Sequence, residues 1–198
     1  MLTIAWDVDD VLNNLMQEWL KDYCQKTNTQ FDYADIKKNP PHELLGIGLD
    51  EYLASLDSFR MSDKALSMLP NCEIIAWMEK NGESFKHIAL SATSHKTSGN
   101  GAFWTMKHFS KWINSYNIVP SYRLGENFIK QNETKKDFLV RIKVVDILID
   151  DSEKNIADAN SIGVKGFLIA KPWNNGGYTI EEILAKLDEL KGAKNESF

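Results

Sequence analysis

Leu2-Thr3-Ile4-Ala5-Trp6-Asp7-Val8-Asp9-Asp10-Val11-Leu12 is the stretch on which the reading of this chain turns. Its first five residues form an apolar run that reads as a short buried strand. Two carboxylates at i and i+2, Asp7 and Asp9, follow where that strand should end. Side chains at this spacing share one face of a strand, and a turn out of the strand lets them converge. Two unit charges ~4 Å apart repel by roughly 4 kcal/mol at an effective dielectric near 20. A cation or a shared proton offsets that repulsion, so the stretch predicts a divalent metal site at a strand end. Acidic residues after a strand also serve as turn formers and helix N-caps, and the rest of the chain has to decide between the two readings.

The totals narrow the field. A chain of 198 residues accommodates one domain with a modest insertion. A hydrophobic share of 43% marks it as globular. The net charge of −5 argues against a nucleic acid polymer as partner, while one or two local cations suffice for a small phosphorylated ligand. Cys24 and Cys72 stand far apart and fit free thiols in a reducing compartment. No charged-then-apolar leader precedes Leu2 and no apolar run is long enough to cross a bilayer, so a cytoplasmic protein without a membrane partner is expected.

Outward from the first strand, Asn13 or Asn14 caps a helix with Leu15, Met16, Trp19, Leu20 and Tyr23 on one face. No strand is evident from 28 to 83, only helical pieces at 42–45, 49–56 and 72–80. Asn71 caps the last of these, and Gly82 is expected to close it in the left-handed conformation. A second strand at 86–90 ends in Ser91-Ala92-Thr93-Ser94. Beyond Gly99-Asn100-Gly101 a helix is predicted over 102–116, with Phe103, Met106, Phe109 and Ile113 in one apolar row and Trp104, His108 and Trp112 in another. A third strand is placed at 120–124 and a Thr134-capped helix at 135–142. Val144-Val145-Asp146-Ile147-Leu148-Ile149 is a buried strand ending in Asp150-Asp151. A helix over 153–162 closed by Gly163, a strand over 164–170 and a helix over 179–191 complete the pattern, and the tail after Gly192 is expected to fray. Strand and helix alternation predicts an α/β fold, a doubly wound, mainly parallel sheet with ligands beyond the carboxyl ends of its strands. Asp7, Ser91 and Asp150 all fall at such ends.

These groups support one chemistry. Asp7 and Asp150 can hold a hard cation through oxygen, which suits Mg²⁺. A carboxylate nucleophile repels a phosphate monoester dianion, and Mg²⁺ with one lysine offsets this and stabilises the transferring group. Asp7 can then attack phosphorus to give an aspartyl-phosphate. Asp9 can protonate the leaving alkoxide and later take a proton from water, and Ser91 can hydrogen-bond a phosphoryl oxygen.

Asp7-Val8-Asp9, Ser91 after Ile88-Ala89-Leu90, a lysine, and Ile149-Asp150-Asp151 together resemble the four motifs of the haloacid dehalogenase-like phosphatase superfamily. The resemblance implies Asp7 as nucleophile, Asp9 as general acid/base, and Mg²⁺ held by Asp7, the Asp9 backbone carbonyl and Asp150. Asp151 would orient the lysine or support the metal ligands from behind. Lys135, followed by Phe138 and Leu139, fits the lysine motif best; Lys136 is the alternative. Asp10 stands where the superfamily often has Gly, and Asp tolerates the left-handed conformation. Ser91 replaces the commoner Thr and keeps the donor.

Within the superfamily, Asp-Val-Asp-Asp-Val-Leu, Leu148-Ile149-Asp150-Asp151 and Lys171-Pro172-Trp173-Asn174 are similar to the 5′(3′)-deoxyribonucleotidases. That likeness implies a phosphatase acting on nucleoside monophosphates, with residues 1–14 and 84–198 as catalytic core and 15–83 as a helical cap. Substrate contacts are expected from Ser91, Ala92, Lys96, Lys135, Lys136 and Phe31. Phe31, Trp19 and Tyr33 are candidates to stack on a base, with core packing as the competing role. The alternatives are the same chemistry on another small phosphate ester, such as a sugar phosphate, and a non-catalytic phosphate-binding relative. A homodimer is compatible with the sequence.

Overall fold

The computed structural model describes residues 1–125 and 133–193. A five-stranded, all-parallel sheet runs β3-β2-β1-β4-β5. Its strands are β1 (Thr3–Trp6), β2 (Lys86–Thr93), β3 (Ile113–Pro120), β4 (Ile147–Asp150) and β5 (Lys165–Leu168). β1 is central: Trp6 lies opposite Ala89 of β2 on one side and opposite Ile149 of β4 on the other. The chain leaves β1 toward β2 and β3 and returns to β4, so the order reverses at β1/β4. In such sheets a crevice opens beyond the strand ends at that point.

The period-two alternation of the strands sorts two layers. Ile4, Trp6, Ile147 and Ile149 face one side, where they pack with α5 (Cys72–Asn81), α6 (His95–Phe109) and α9 (Ile180–Ala193) through Ile74, Trp77, Trp104, Phe109, Ile183 and Leu187. Ala5, Leu90 and Leu148 face the other side and meet α7 (Lys135–Ile142) and α8 (Glu153–Asn160) through Phe138, Leu139 and Ala159. The predicted doubly wound sheet is therefore present.

Between β1 and β2 the chain forms α1 (Leu15–Thr27), α2 (His42–Leu45), α3 (Leu49–Arg60) and α4 (Asp63–Leu66) before α5. α1, α3 and their neighbours bury their own cluster, with Leu15, Trp19, Leu20, Tyr52, Leu56 and Phe59 at its centre. α5 differs, because Ile74, Trp77 and Met78 enter the core beneath the sheet. Asn71 caps α5 as expected, its side-chain oxygen accepting from the amides of Glu73 and Ile74.

Three expectations need correction. Gly99-Asn100-Gly101 does not precede a helix but lies inside α6, which starts at His95 and stops at Phe109. Two glycines weaken a helix by about 1 kcal/mol each, yet here packing needs the missing side chain: a Cβ on Gly101 would collide with the Tyr116 hydroxyl. Of the two predicted rows, Trp104 and Phe109 are buried while Phe103 is 60% exposed. Second, the third strand is Ile113–Pro120, not 120–124; it pairs along β2 from His87 to Thr93. Third, Gly82 has right-handed backbone (φ −56°) and does not supply a left-handed helix end. Its lack of a side chain admits the Trp112 ring, since a Cβ there would lie 2.6 Å from Trp112 Cδ1. The expected fraying after Gly192 concerns a tail of which 194–198 lie outside the described residues.

Gly163, by contrast, closes the turn after α8 with φ +82° as read from the sequence. Among the described residues no helix is long and apolar enough to cross a membrane. Cys24 and Cys72 are unpaired thiols. Gly82→Ala is expected to cost about 1–3 kcal/mol through overpacking against Trp112, read as a lowered urea midpoint at unchanged slope.

Candidate active site

The crevice at the β1/β4 reversal is built from the ends of those two strands. The Asp7 amide donates to the Ile149 carbonyl at 2.9 Å, so pairing holds to the last residue of β1 and fixes the Asp7 Cα beside β4. The chain then turns sharply. The Val8 amide donates to Asp7 Oδ1 at 2.8 Å. Asp9 is extended and Asp10 is left-handed, with φ +63° and ψ +7°. Asp10 thus does what a glycine does elsewhere, and its Oδ1 accepts from the Met16 amide at 3.0 Å to tie the turn to α1. Asn14 is the N-cap residue of α1 without a side-chain cap bond, and Asn13 Oδ1 instead accepts from the amides of Leu15 and Asp10. Burial lifts the Asp10 carboxyl to about 7, against the pull of Lys171.

On β4, Asp150 Oδ1 accepts from the Ser152 amide at 2.9 Å and from Asn155 Nδ2 at 3.0 Å. Its Oδ2 accepts from Lys135 Nζ at 2.6 Å. The same ammonium lies 2.9 Å from Asp7 Oδ1. Thr134 places this lysine: its side chain and that of Asp137 form a capping box, which starts α7 with Lys135 at its first turn. Lys135 is only 3% exposed. Burial alone would lower its pKa, but Asp150 and Asp7 more than reverse this and hold it charged.

Asp7, Asp150 and Asp151 each bring an oxygen within 4.8 Å of the others, all buried. Burial, then Asp150 and Asp151 against the opposing pull of Lys135, hold the Asp7 carboxyl well above its ordinary range. Burial and then Asp150 lift Asp151 to about 7. When all three carboxyls are ionised, the one ammonium leaves two negative charges unbalanced. A divalent ion offsets them, and an all-oxygen set of this kind suits Mg²⁺. Both hydrogen bonds to Asp7 fall on Oδ1, so Oδ2 carries none among the described residues.

The structure groups the expected residues selectively. Asp7, Asp150 and Lys135 meet, and Asp151 joins the carboxylate group itself. Its Oδ2 accepts from Trp173 Nε1 at 2.8 Å and its carbonyl from Asn174 Nδ2, so the Lys171-Pro172-Trp173-Asn174 loop braces it. The Asp9 side chain turns elsewhere, its Oδ2 2.7 Å from Arg60 Nη2 of α3. Ser91 is buried within β2, two residues before its end, is hydrogen-bonded to Tyr116 and does not line the cavity around Asp7. A cavity of about 250 Å³ is lined by Asp7, Asp9, Ala92, Lys135, Arg60 and Arg123 among others. Lys136 lies outside it and donates to Ser161 Oγ. Lys96 lines a separate hollow with Asp50 and Asp57. Phe31 packs against the helical cluster with Trp19, and Tyr33 meets Trp173 edge-on at 5.9 Å.

Two polar residues of the site went unread in the sequence. Asn155, five residues after Asp150 on α8, sits where a helical first turn faces back to a strand end, a spacing that could have flagged it. Arg60 offered no signal, because nothing in the spacing of α3 tells that its last residue reaches a turn 51 residues earlier.

No family model matches this chain, and no curated protein matches it. Solved structures do. A haloacid dehalogenase-like hydrolase of Streptococcus pneumoniae superposes with a TM-score of 0.58 at 13% identity, over 94% of this chain and 90% of that one. A protein named as a phosphoglycolate phosphatase of Lactobacillus delbrueckii subsp. bulgaricus gives 0.60 at 12% identity, over 96% and 97%. One named as a beta-phosphoglucomutase of Thermotoga maritima gives 0.56 at 17% identity, over 96% and 100%. At these identities the likeness is one of fold: the chain has the haloacid dehalogenase-like α/β fold, with a buried aspartate cluster at its switch point.

A carboxyl raised from its ordinary value to about 7 keeps protons in the folded state that the unfolded chain has shed. Folded stability of the metal-free protein is therefore present at acid pH and is lost as pH rises from about 4 through 7. Thermal melts in EDTA should show a lower Tm at pH 8 than at pH 6, and Mg²⁺ should raise Tm more at pH 8. A Tm insensitive to Mg²⁺ at pH 8 would remove the ion from this cluster.

Proposed function

We propose that this protein is a Mg²⁺-dependent hydrolase of small phosphate monoesters that works through an aspartyl-phosphate on Asp7. The observation that carries the reading is Lys135, a buried ammonium bridging Asp7 and Asp150 at the sheet's switch point in a hydrolase fold. Lys135 holds the carboxylate of Asp7 in place through Oδ1, which leaves Oδ2 to attack phosphorus. The P–O bond to the leaving group breaks as the Oδ2–P bond forms, and Asp9 hands its proton to the departing alkoxide. Asp9 then takes a proton from the water that hydrolyses the acyl phosphate. Lys135 and Ser91 hold phosphoryl oxygens, and the lysine's charge offsets repulsion between nucleophile and dianion. Mg²⁺, held by Asp7, Asp150 and Asp151 with the Asp9 carbonyl, would neutralise charge on the transferring group. Asn155 and Ser152 fix Asp150, and Trp173 fixes Asp151, which positions the set.

Residues 15–83 act in this reading as a cap over the strand ends, with 1–14 and 84–198 as the core, and exclude water from the acyl phosphate. The separate apolar cluster of α1 to α4 supports this, and α5, packed under the sheet, is the seam. For the substrate, two neighbours named for phosphoglycolate and a glucose phosphate favour a small acid or sugar phosphate. Tyr52 is the aromatic residue in the cavity lining, whereas Phe31 and Trp19 pack in the helical cluster, which weighs against a stacking platform for a base. Nucleoside monophosphate hydrolysis remains the second reading, favoured by the Lys171-Pro172-Trp173-Asn174 loop being anchored on Asp151.

A steady-state screen of phosphorylated acids, sugar phosphates and nucleoside monophosphates with Mg²⁺ should yield turnover that EDTA abolishes. Asp7→Asn should lower kcat by roughly 10⁴-fold or more while the circular dichroism spectrum is kept. Wild-type turnover by that variant would exclude Asp7 as nucleophile.

A further inference from the structure

Asp9 and Arg60 stand in the walls of two hollows. One is the cavity that also holds Asp7 and Lys135. The other is a chamber of about 30 Å³, which Tyr116, Thr93, Thr97 and Asn100 help to line. That volume takes about two water molecules at most. Its polar wall is incompletely bonded. Arg60 Nη2 donates to Asp9 Oδ2 at 2.7 Å and Nη1 to Asp57 Oδ1 at 3.3 Å, but Nε is buried without an acceptor among the described residues. On the Asp9 carboxylate, the bond that Oδ1 accepts among the described residues is a long one, 3.5 Å from Asn13 Nδ2. A buried donor without an acceptor costs stability. A water that meets both atoms removes that cost.

Tyr116 reaches this chamber through two irregularities of the fold. Along β2 and β3 the pairing advances from His87 opposite Ile113 to Ala89 opposite Tyr116, two residues on β2 against three on β3. An extra residue of this kind re-aims the side chains that follow it. In regular register Ser115 would stand opposite Ala89 and Tyr116 would face the other layer. The extra residue turns Tyr116 to the face of Ala89 and Ser91. Asn117 Nδ2 donates to the Ala89 carbonyl at 3.1 Å and holds the irregular stretch. The second irregularity is Gly101 inside α6. A Cβ there would collide with the Tyr116 hydroxyl, whereas the ring carbon Cζ would lie 3.2 Å from it. The helix therefore makes room for the hydroxyl more than for the ring, with a residue type that weakens helices. That hydroxyl is bonded to Ser91, and burial, then the Asp9 carboxylate, push the phenol well above its ordinary value, so it stays protonated. It can donate to Ser91 Oγ, which leaves the serine's own proton for a phosphoryl oxygen, while its oxygen accepts from a water in the chamber.

We propose that Tyr116 is a positioning residue for Asp9, acting through one chamber water that accepts from Arg60 Nε and donates to Tyr116 Oη and Asp9 Oδ1. Three hydrogen bonds are the usual complement of a buried water. Arg60 fixes one oxygen of the Asp9 carboxyl and the water fixes the other, so the plane of the acid/base is set before the ester arrives. The role in catalysis rests on the hydrolase reading; the water bridge does not.

Tyr116→Phe removes the hydroxyl and keeps the ring. The experiment compares kcat/KM with Mg²⁺ for p-nitrophenyl phosphate, whose leaving group departs unprotonated, and for the alkyl phosphate that the wild type turns over fastest. This constant reads the steps up to loss of the alcohol, so it sees Asp9 as acid and not as base. The variant should lose roughly tenfold more on the alkyl ester than on the aryl ester. An equal loss on both, or no loss, overturns the proposal, because a purely structural role, or one confined to Ser91, does not depend on the leaving group. If Tyr116→Phe does not fold, Gly101→Ala, which displaces the hydroxyl without removing it, decides by the same comparison. A crystal structure of the wild type should show a water within hydrogen-bond distance of Tyr116 Oη, Arg60 Nε and Asp9 Oδ1; a chamber without that bridge overturns the proposal whatever the kinetics. A wild type that holds the water and hydrolyses neither ester sinks the hydrolase reading and the catalytic role with it. Hydrolysis of both esters with no leaving-group dependence in the variant sinks this proposal alone.

Discussion

Lys135 sits 2.9 Å from Asp7 and 2.6 Å from Asp150, and the carboxylates of both strand ends depend on that bridge. Two carboxylates at adjacent strand ends could not stay ionised in a buried site without a cation between them. The cost of burying the lysine is in turn tolerable only because both acids are there. The three charges therefore specify one another, and each comes from a different part of the chain: the first strand, the first turn of α7 and the end of β4. The parallel sheet brings them together, since β1 and β4 are neighbours although their residues lie over 140 positions apart. The one lysine leaves the carboxylate group short of positive charge, which is the electrostatic basis for a divalent ion.

The main features of this arrangement could be read from residues alone, and the reason is that strand ends have strong local signatures. Apolar runs stopped by Asp7 and by Asp150-Asp151, and a Thr134 cap four residues ahead of the core contact Phe138, are short-range patterns. Asp10 taking the left-handed turn is likewise a local fact. Reading failed where tertiary packing overrode a local rule. Gly99-Asn100-Gly101 looks like a helix breaker, but close approach to Tyr116 makes the gap useful inside α6. A helix extended to 116 overlaps the first half of the third strand, Ile113–Pro120, and 121–124 lie beyond that strand. Gly82 fell to the same cause: a packing glycine beside Trp112 imitates a helix-end glycine.

Site residues divide in the same way. The meeting of Asp7 and Asp150 was legible because topology fixes where strand ends go, whereas Ser91 lies two residues before the end of β2 and outside the cavity lining. Site residues on the helical insertion were not legible. Phe31 and Trp19 were candidates for substrate contact by residue type alone, and they pack in the insertion's own cluster. Arg60 has no flanking motif, and its meaning comes only from Asp9 and Asp57. Lys96 and Lys136 show that a lysine close in sequence to a site residue need not reach the site in space: one lines a neighbouring hollow and the other pairs with Ser161.

The insertion is tied to the sheet layer at several points, and they converge on the same few residues. The Asn71 amide donates to the Leu12 carbonyl at 2.8 Å, which closes the turn after β1 onto the start of α5. Trp104 Nε1 of α6 donates to the Met68 carbonyl, and Asn100 of the same helix donates to the Arg60 carbonyl. α6 follows β2 directly, so the strand that carries Ser91 also sets the helix that holds the insertion. A displacement of α3 would pull on Arg60 at both ends, at its carbonyl through Asn100 and at its guanidinium through Asp9. The turn carrying Asp9 and Asp10 is in its turn fixed by Asn13 and Met16 at the start of α1. The insertion and the reactive turn thus share their anchoring bonds, and a change in one must be felt in the geometry of the other.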